Sequence, residues 1–374
     1  MCPWTWTSTW YPLPEEEAEP SALLQGRVQA ANEHHHDAYG HTDFDDTPES
    51  YAAQYAHQAY RAKLCWAAVR AGTDPAGVRP DEVLAGATAH VPLADNRTSA
   101  DVALVVRPSA RGQGIGRRLF DHVAADLAAR GRTVWTTASF HPAALPGSPG
   151  SLTAKSGAGT IDGRHAAASF ARNRGFVLEQ AERYSILRLL PDVPHWHADL
   201  ATWRRDAARH AGPDYELLQW VGRTPEEHLG PLAALRARMS VDVPSAGLEI
   251  EEEHWDADRV RAHDDGRLAA GERAVTTAVL HRPTGDLAAY TELLWPHHHP
   301  TGVWQEDTLV HGDHRGRRLG MLAKAANLTA LVEANPAAQR VHTWNAVENT
   351  HMLAINQALG FVAQGLEAAW QRRA

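Results

Sequence analysis

Apolar and polar positions along this chain predict short strands that lead into helices. The clearest case is the apolar stretch at residues 307–310, which enters a turn of Arg and Gly and continues into a helix at residues 321–334. That helix has apolar or small residues every three to four positions, the spacing of one buried face. A second segment has the same order, with a strand at residues 101–106 and a helix at residues 117–130. The repeat predicts an internal duplication.

The two turns have the composition of a phosphate site. The first N–H groups of a helix have no partner within the helix and lie at the positive end of its dipole, and glycine lets an anion come close. A glycine-rich turn also forms without a ligand, so a single turn is weak evidence. The turns span Arg111 to Gly116 and Arg315 to Gly320.

Further predicted elements follow a common plan in both halves. Two helices and three strands precede the first turn, at residues 21–38, 47–60, 63–71, 82–91 and 98–106. The second half begins with a strand at 215–221, and its predicted helices at 225–239 and 255–269 and strands at 273–281, 287–295 and 302–310 follow. Thr47 and Thr224 precede Pro and are predicted helix caps. After each turn come a strand, a second helix and a Gly-Phe pair, at Gly175-Phe176 and Gly360-Phe361.

This pattern resembles the GNAT acyltransferase superfamily, whose motif is Arg/Gln-x-x-Gly-x-Gly/Ala between a strand and a helix. Arg111 to Gly116 matches the motif in full, whereas the second turn has Arg318 where the middle Gly usually stands. The two-domain order is similar to that of mycothiol synthase and of double-GNAT proteins of actinobacteria. The resemblance implies a duplicated α/β (α+β) GNAT fold, with two mixed, mostly antiparallel sheets flanked by helices.

The predicted domains follow from this repeat. They are an aromatic N-terminal extension (1–20), an N-terminal GNAT domain (21–190), a linker helix (191–213) and a C-terminal GNAT domain (214–374). In the extension, Trp4, Trp6 and Trp10 alternate with small polar residues, which predicts a short strand.

Composition narrows the functional classes. The chain of 374 residues is 44% hydrophobic and 22% charged, enough apolar content for two cores. It has no long apolar run and no basic-then-apolar N-terminus, so we expect a soluble cytoplasmic protein without a membrane span. The formal charge of −9 disfavours nucleic-acid binding. The His34-His35-His36 run does not predict a metal site, because adjacent side chains on a helix point in different directions.

The resemblance implies acetyl-CoA, or another acyl-CoA, as co-substrate and a small-molecule amine as acceptor. The turn amides would hold the pyrophosphate, and the strand edges before them would pair with the pantetheine. The implied cofactor-binding residues are Val105, Val106, Arg111, Gly112, Gln113, Gly114, Ile115 and Gly116 in the first half. In the second half they are Leu309, Val310, Arg315, Gly316, Arg317, Arg318, Leu319, Gly320, Asn345 and Asn349.

Acyl transfer to an amine needs a base that removes a proton from the amine. Carboxylates within strands need a partner or a task, and the second half has three near its turn, namely Glu292, Glu306 and Asp307. The matching strand of the first half has only Asp101. We therefore predict that the second half is catalytic; each carboxylate could instead pair with a nearby Arg.

Two departures from the family pattern leave alternatives open. The helix position where the family often has a Tyr acid is Ala171 in the first half and Asn356 in the second. A predicted flexible loop at residues 140–163 replaces the usual Asn-bearing turn. The alternatives are a non-catalytic CoA-binding or scaffold protein and an aminoacyl-tRNA-dependent acyltransferase. A homodimer is one candidate assembly.

Overall fold

The computed structural model describes residues 4–8, 20–74, 76–142, 147, 149–189 and 194–373. The helices are α1 (Ala22–Tyr39), α2 (Pro48–Ala56), α3 (Ile115–Ala129), α4 (Ala166–Asn173), α5 (Pro194–Ala211), α6 (Leu229–Asp242), α7 (Ala257–Ala269), α8 (Leu319–Ala334) and α9 (Thr350–Ala358). The strands of the first half are β1 (Trp4–Ser8), β2 (Arg61–Arg70), β3 (Ala85–Pro92), β4 (Ser99–Val106), β5 (Val134–His141), β6 (Ser151–Thr153), β7 (Thr160–Asp162) and β8 (Val177–Arg188). Those of the second half are β9 (Tyr215–Val221), β10 (Glu272–His281), β11 (Asp286–Pro296), β12 (Gly302–Val310), β13 (Arg340–Ala346) and β14 (Val362–Arg373).

The chain forms two compact units. Unit 1 comprises residues 1–140, 165–178 and 369–374, and unit 2 comprises residues 141–164 and 179–368. Strand β8 is the last strand of the predicted N-terminal domain. Its residues 182–188 belong to unit 2, where they pair with β13. The domain boundaries given above stay a prediction.

Unit 1 has a mixed sheet in which β1, β2, β3, β4 and β5 are neighbours in that order. The pairs are antiparallel except for β4 with β5, which is parallel. Alternation along β4 gives the sheet two apolar faces, because Val105 packs with Ala30 of α1 whereas Val106 lies next to Gly116 of α3. The predicted N-terminal strand is confirmed for the backbone of Trp4–Ser8; the remaining extension up to residue 19 lies outside the described residues.

In unit 2 the neighbouring strands are, in order, β8, β13, β12, β11, β10 and β9. Helices α5 and α8 cover one face, where Leu200 packs in the same cluster as Leu322 and Leu328. Helices α6 and α7 cover the other face through a cluster that contains Leu232 and Val260. The predicted mixed, mostly antiparallel sheets flanked by helices are confirmed in both units.

Two local predictions are wrong. Residues 151–162 of the predicted loop form a short hairpin, in which β6 pairs with β7. Thr224 does not cap a helix, because its N–H donates to Asp264 Oδ2 at 2.8 Å and a 3₁₀ turn precedes α6. The Thr47 cap is confirmed, since its hydroxyl accepts from Ser50 N at 3.1 Å. Among the described helices none is long and apolar enough to cross a bilayer.

Candidate functional site

The second turn has the backbone conformation of an anion site. Gly316 (φ +79°) and Arg318 (φ +59°) both adopt the left-handed region, and α8 begins at the next residue, Leu319. The first N–H groups of α8 therefore lie at the end of the turn without partners inside the helix. Arg318 thus keeps the path that the family's middle Gly usually provides.

The first turn follows the same path. Gly112 (φ +77°) and Gly114 (φ +75°) are left-handed, and α3 begins at Ile115. Gln113 lies between the two glycines and is exposed. Arg317, the corresponding residue of the second turn, is exposed as well. Both turns consequently present a helix N-terminus, which is the geometry that the sequence predicts.

The arginine that opens each turn holds the turn in place. Arg111 Nε donates to the Val106 carbonyl at 3.3 Å, and Arg315 Nε donates to the Val310 carbonyl at 3.4 Å. Each guanidinium also pairs with an aspartate of α1 or α6. These side chains are engaged with the protein, so contacts to an anion would come mainly from the backbone.

Gly116 and Gly320 let their helices pack closely. A Cβ atom at Gly320 would lie 3.3 Å from Ile355 Cδ1 and 3.6 Å from Val310 Cγ2. At Gly116 it would lie 3.3 Å from Val106 Cγ2. In each unit the last glycine of the motif therefore serves contact between the helix and the neighbouring strand.

The strands on either side of each turn separate. Pairing of β12 with β13 covers only Gly302 to Trp304, although β12 continues to Val310 and all these residues are described. Pairing of β4 with β5 likewise covers only Ser99 to Asp101. Each unit therefore has an open strand edge that leads to its turn and can accept an extended ligand. The side chain of Leu309 is buried in the α6/α7 cluster, so a ligand would meet its backbone.

A β-bulge brings the predicted carboxylates of unit 2 together. The register between β11 and β12 shifts between Thr291 and Leu293. The extra residue lies in β12, where Glu306 and Asp307 together face Glu292. Bulges redirect side chains and are frequent next to active sites.

Glu292 is a fully paired acid. It is 5% exposed, and it accepts from Arg236 Nη2 at 3.4 Å, from Thr276 Oγ1 at 3.2 Å and from Arg267 Nη1. Burial opposes ionisation, but the two guanidiniums outweigh it and lower the pKa of Glu292 to about 2. Glu292 thus remains charged and holds both arginines.

Glu306 has the opposite electrostatic setting. Its side chain is 35% exposed and accepts from Arg267 Nη2 at 3.2 Å. Desolvation by the surrounding protein raises the pKa of Glu306, and the positive charge of Arg267 lowers it. The negative charges of Asp307 and Glu292 raise it further, so the pKa is about 7. Asp307 accepts from the Tyr290 hydroxyl at 2.9 Å. Glu306 is therefore a solvent-accessible carboxyl that exchanges protons near neutral pH.

Polar groups beneath the bulge hold it in shape. Gln305 Nε2 donates to the carbonyls of Glu292 and Glu306 at 2.8 and 3.2 Å. Lys324 of α8, which is 1% exposed, donates to Gln305 Oε1 at 2.8 Å. Burial lowers the pKa of Lys324 to about 7.

The amides near α9 partly bond to one another. Asn349 Oδ1 accepts from Met352 N at 3.2 Å and caps α9. Asn356 Nδ2 donates to Asn345 Oδ1 at 2.6 Å, and Asn356 Oδ1 is buried without a partner among the described residues. The predicted contacts of Asn345 and Asn349 with a cofactor remain predictions.

The matching strands β3 and β4 of unit 1, which are described in full, have no such carboxylate cluster. The register of β3 with β4 is regular from Ala85 to His90, without a bulge. Asp101 is exposed and accepts from Thr136 Oγ1 at 3.0 Å. Surrounding protein desolvates Asp101 and raises its pKa. The structure thus has the asymmetry between halves that the sequence suggests.

The consecutive histidines of α1 have separate partners. His34 Nδ1 accepts from Arg111 at 3.2 Å, His35 Nδ1 lies 3.3 Å from the Phe44 carbonyl, and His36 Nε2 lies 2.6 Å from Asp45. They point apart, as the helical geometry predicts.

Sequence analysis missed Arg236 and Arg267. Both are in helices with weak amphipathic patterns, where an arginine ordinarily indicates a solvated face. Only their tertiary contacts with Glu292 reveal that they belong to the site.

Comparisons with known proteins agree with this geometry. Residues 28–146 match the family model "Acetyltransferase (GNAT) family". Over 99% of the chain, the fold is similar to a tandem GNAT protein from the clavulanic acid biosynthesis pathway (TM-score 0.71, 23% identity, 98% of that chain). No curated protein sequence matches the chain significantly.

Two further solved structures share the fold. A GCN5-related N-acetyltransferase from Sphaerobacter thermophilus matches over 100% of this chain and 97% of its own, with a TM-score of 0.54 and 14% identity. Saccharomyces cerevisiae N-myristoyltransferase with bound myristoyl-CoA matches over 100% of this chain and 79% of its own, with a TM-score of 0.56 and 11% identity. Residues 28–146 therefore match the GNAT family model, and the chain has the fold of a tandem GNAT protein.

Proposed function

We propose that the protein is an acyl-CoA-dependent N-acyltransferase that uses acetyl-CoA and a small-molecule amine, with its catalytic site in unit 2. The main support is the bulge in β12, which places a carboxyl of pKa about 7, Glu306, beside an open strand edge. Unit 1 has the turn and the open edge but not the bulge.

The donor site fits a CoA molecule by its backbone. The turn amides from Arg315 to Gly320 would bind the pyrophosphate, and the free edge at Leu309 and Val310 would bond to the amides of the pantetheine arm. When bound, acyl-CoA supplies the acyl group as a thioester and leaves as a thiol. Unit 1 would hold a second CoA through Arg111 to Gly116 as a structural or regulatory half.

Glu306 would act as the base. An amine acceptor is protonated at neutral pH, and a carboxyl of pKa about 7 is ionised in about half of the molecules at that pH, so it can take the proton and release it again. The freed nitrogen attacks the thioester carbon, and the C–S bond breaks as the amide bond forms. Glu306 keeps the first proton, and the second proton of the nitrogen leaves with the sulfur.

The neighbouring acids would have supporting roles. Glu292 is ionised and occupied by Arg236 and Arg267, so it positions Arg267 rather than exchanging protons. Asp307 is half-buried with one oxygen held by Tyr290, and its other oxygen can bind the cationic amine.

No tyrosine acid is available at the usual position. Asn356 stands there, and an amide does not release a proton at neutral pH. Water, or the nitrogen itself, would therefore protonate the thiolate. The presence of Asn356 at this position also favours a second candidate function, that of a CoA-binding protein that does not catalyse acyl transfer.

The test is calorimetric titration of acetyl-CoA, followed by acetylation assays on a panel of amines. Gly316→Glu places a negative charge in open space at the turn, and Gly316→Ala imposes the same left-handed strain without the charge. We expect Gly316→Glu, but not Gly316→Ala, to abolish turnover. The pair Gly112→Glu and Gly112→Ala makes the same comparison in unit 1 and should leave turnover intact.

Three outcomes would contradict parts of this proposal. Absence of acetyl-CoA binding to the wild type would exclude the acyltransferase function. Loss of turnover only in Gly112→Glu would place catalysis in unit 1. Tight binding with no acetylation of any amine would favour the non-catalytic candidate.

A further inference from the structure

Arg27 of unit 1 is a buried cation that has no ion pair with any described residue. It lies in α1 and is 6% exposed. Among the described residues its Nε has no hydrogen-bond partner, and no carboxylate lies within ion-pair distance of its guanidinium. The guanidinium carbon is 4.2 Å from the centroid of the Tyr51 ring. A ring face attracts a cation but does not neutralise it, so this burial is costly.

The hydroxyl groups beside Arg27 are already used by one another. Tyr55 donates its hydroxyl proton to the Leu64 carbonyl at 3.3 Å, so Tyr51, at 3.1 Å, must donate to Tyr55. Thr88 also lowers the pKa of the Tyr51 hydroxyl, although burial outweighs this effect. Burial raises the pKa values of Tyr51 and Cys65, which keeps both groups neutral. None of these groups supplies a negative charge, and Asp46, whose charge does act on Arg27, lies beyond ion-pair distance.

In unit 2 a buried arginine at the corresponding face does have a carboxylate partner. Arg236 of α6 is likewise buried, at 5% exposed, and its guanidinium lies over the Trp255 ring. It is paired with Glu292 of β11 at 3.4 Å. Glu292 and Thr88 occupy the same place in their sheets. Ala289 pairs with Val310 and Ala85 pairs with Val106, and Glu292 and Thr88 each follow three residues later in the same strand. Unit 1 therefore keeps the cation and lacks the carboxylate.

Thr88 itself is buried, but its neighbour across the sheet is exposed. Thr88 pairs with Ala103 of β4, which is exposed although it lies in an interior strand. Arg27 itself runs across Gly86, where a Cβ atom would lie 2.5 Å from Arg27 Cγ. A threonine side chain is also shorter than glutamate by about the size of a carboxyl group. The face thus has a buried cation close to an exposed position of β4.

We propose that this face of unit 1 binds a small organic carboxylate, which pairs with Arg27 in the place that Glu292 takes beside Arg236. The exposed Asp101, two residues from Ala103 along β4, lies where it could contact a cationic group of the same ligand. Ligands with both a carboxylate and an amine should therefore bind more tightly than plain carboxylates. Binding at this site does not require CoA, so the proposal is tested independently of the proposed acyl transfer.

The test uses the full-length protein without CoA. Propionate and its uncharged isostere propionamide would be compared by saturation-transfer NMR and thermal shift. We expect propionate alone to bind, and Arg27→Gln to weaken it at least about tenfold, the loss expected for one charge-assisted contact. Arg97→Gln, which removes an exposed charge elsewhere in unit 1, should leave binding unchanged.

Thr88→Glu keeps the proposal testable if Arg27→Gln fails to fold. This variant places the chain's own carboxylate beside Arg27, so it should raise the melting temperature and abolish propionate binding. A lowered melting temperature together with intact propionate binding would overturn the proposal. Equal binding of propionamide and propionate, or wild-type binding unaffected by Arg27→Gln, would also overturn it.

Discussion

Glu292 and Glu306 share one guanidinium, since Arg267 donates through Nη1 to Glu292 and through Nη2 to Glu306. The shared partner does not make the two acids alike. Glu292 also has Arg236 and stays ionised, whereas Glu306 is close to two other negative charges and has a pKa of about 7. One buried arginine thus connects a structural acid to a proton-exchanging acid.

Glu306→Gln should remove the base. We expect kcat/KM for the amine to fall by about 10²–10⁴-fold. In the wild type kcat/KM should decrease as the pH falls through about 7, because protonated Glu306 cannot accept a proton. A pH–rate profile checks both points, with the exposed Glu333→Gln of α8 as control. If the Glu306→Gln variant kept the same pH dependence of kcat/KM, that dependence would come from another group.

The same variant should be more stable than the wild type at pH 8. The folded-state pKa of Glu306 is raised above its unfolded value, so ionising it destabilises the folded state progressively as the pH rises from about 4.5 to 7. Glutamine resembles the protonated form and removes this cost. Urea unfolding at pH 5 and pH 8 should show a gain in unfolding free energy that is larger at pH 8.

Glu292→Gln should be destabilising. It leaves Arg236 buried without an acid, and breaking a buried pair in this way costs about 3 kcal/mol or more. The folded pKa of about 2 lies below the unfolded value, so this stabilisation is present above about pH 4.5 and is lost as the pH falls towards 2. Urea unfolding at pH 7 measures the loss, and the double variant Arg236→Met/Glu292→Gln should recover part of it. A neutral effect of Glu292→Gln would mean that the ion pairs contribute nothing to stability.

Arg318→Gly should stabilise unit 2. A non-glycine residue in the left-handed region costs about 1 kcal/mol, and Arg318 has φ +59°. Gly114→Ala should destabilise unit 1 by a similar amount. Arg318→Ala is the matched control, because it removes the side chain but retains the strain. Equal unfolding free energies for Arg318→Gly and Arg318→Ala would exclude strain as the cause.

Lys324 should make stability rise in alkaline solution. Its folded pKa of about 7 is below the unfolded value, so between pH 7 and 9 the unfolded chain binds more protons and the folded state gains roughly 2 kcal/mol. Lys324→Met should remove this gain. Chemical unfolding at the two pH values measures it, and a slope equal in both proteins would show that Lys324 does not titrate in this range.

The backbone of the site could be predicted from sequence, because local residues determine it. The glycines of the first turn and the helix after it are sufficient to define a left-handed path that ends at a helix N-terminus. Even Arg318, which departs from the motif, follows that path because the flanking strand and helix determine it.

The side-chain arrangement could be predicted only in part. The three carboxylates were identified as candidates, but their different roles depend on Arg236 and Arg267, which lie far away in sequence. The bulge at Glu306 is a property of the pairing between two strands, and a single strand does not reveal it. The empty charge position at Thr88 becomes visible only when the two units are compared.

The early separation of β12 from β13, and of β4 from β5, has an evolutionary consequence. The opening that results is lined by main-chain N–H and C=O groups, which substitutions do not alter. Substitutions can therefore change the side chains beside one opening, as Thr88 stands in unit 1 where Glu292 stands in unit 2, without altering the main chain that lines it. Proteins of this architecture should consequently differ more in the side chains beside the opening than in the course of its main chain.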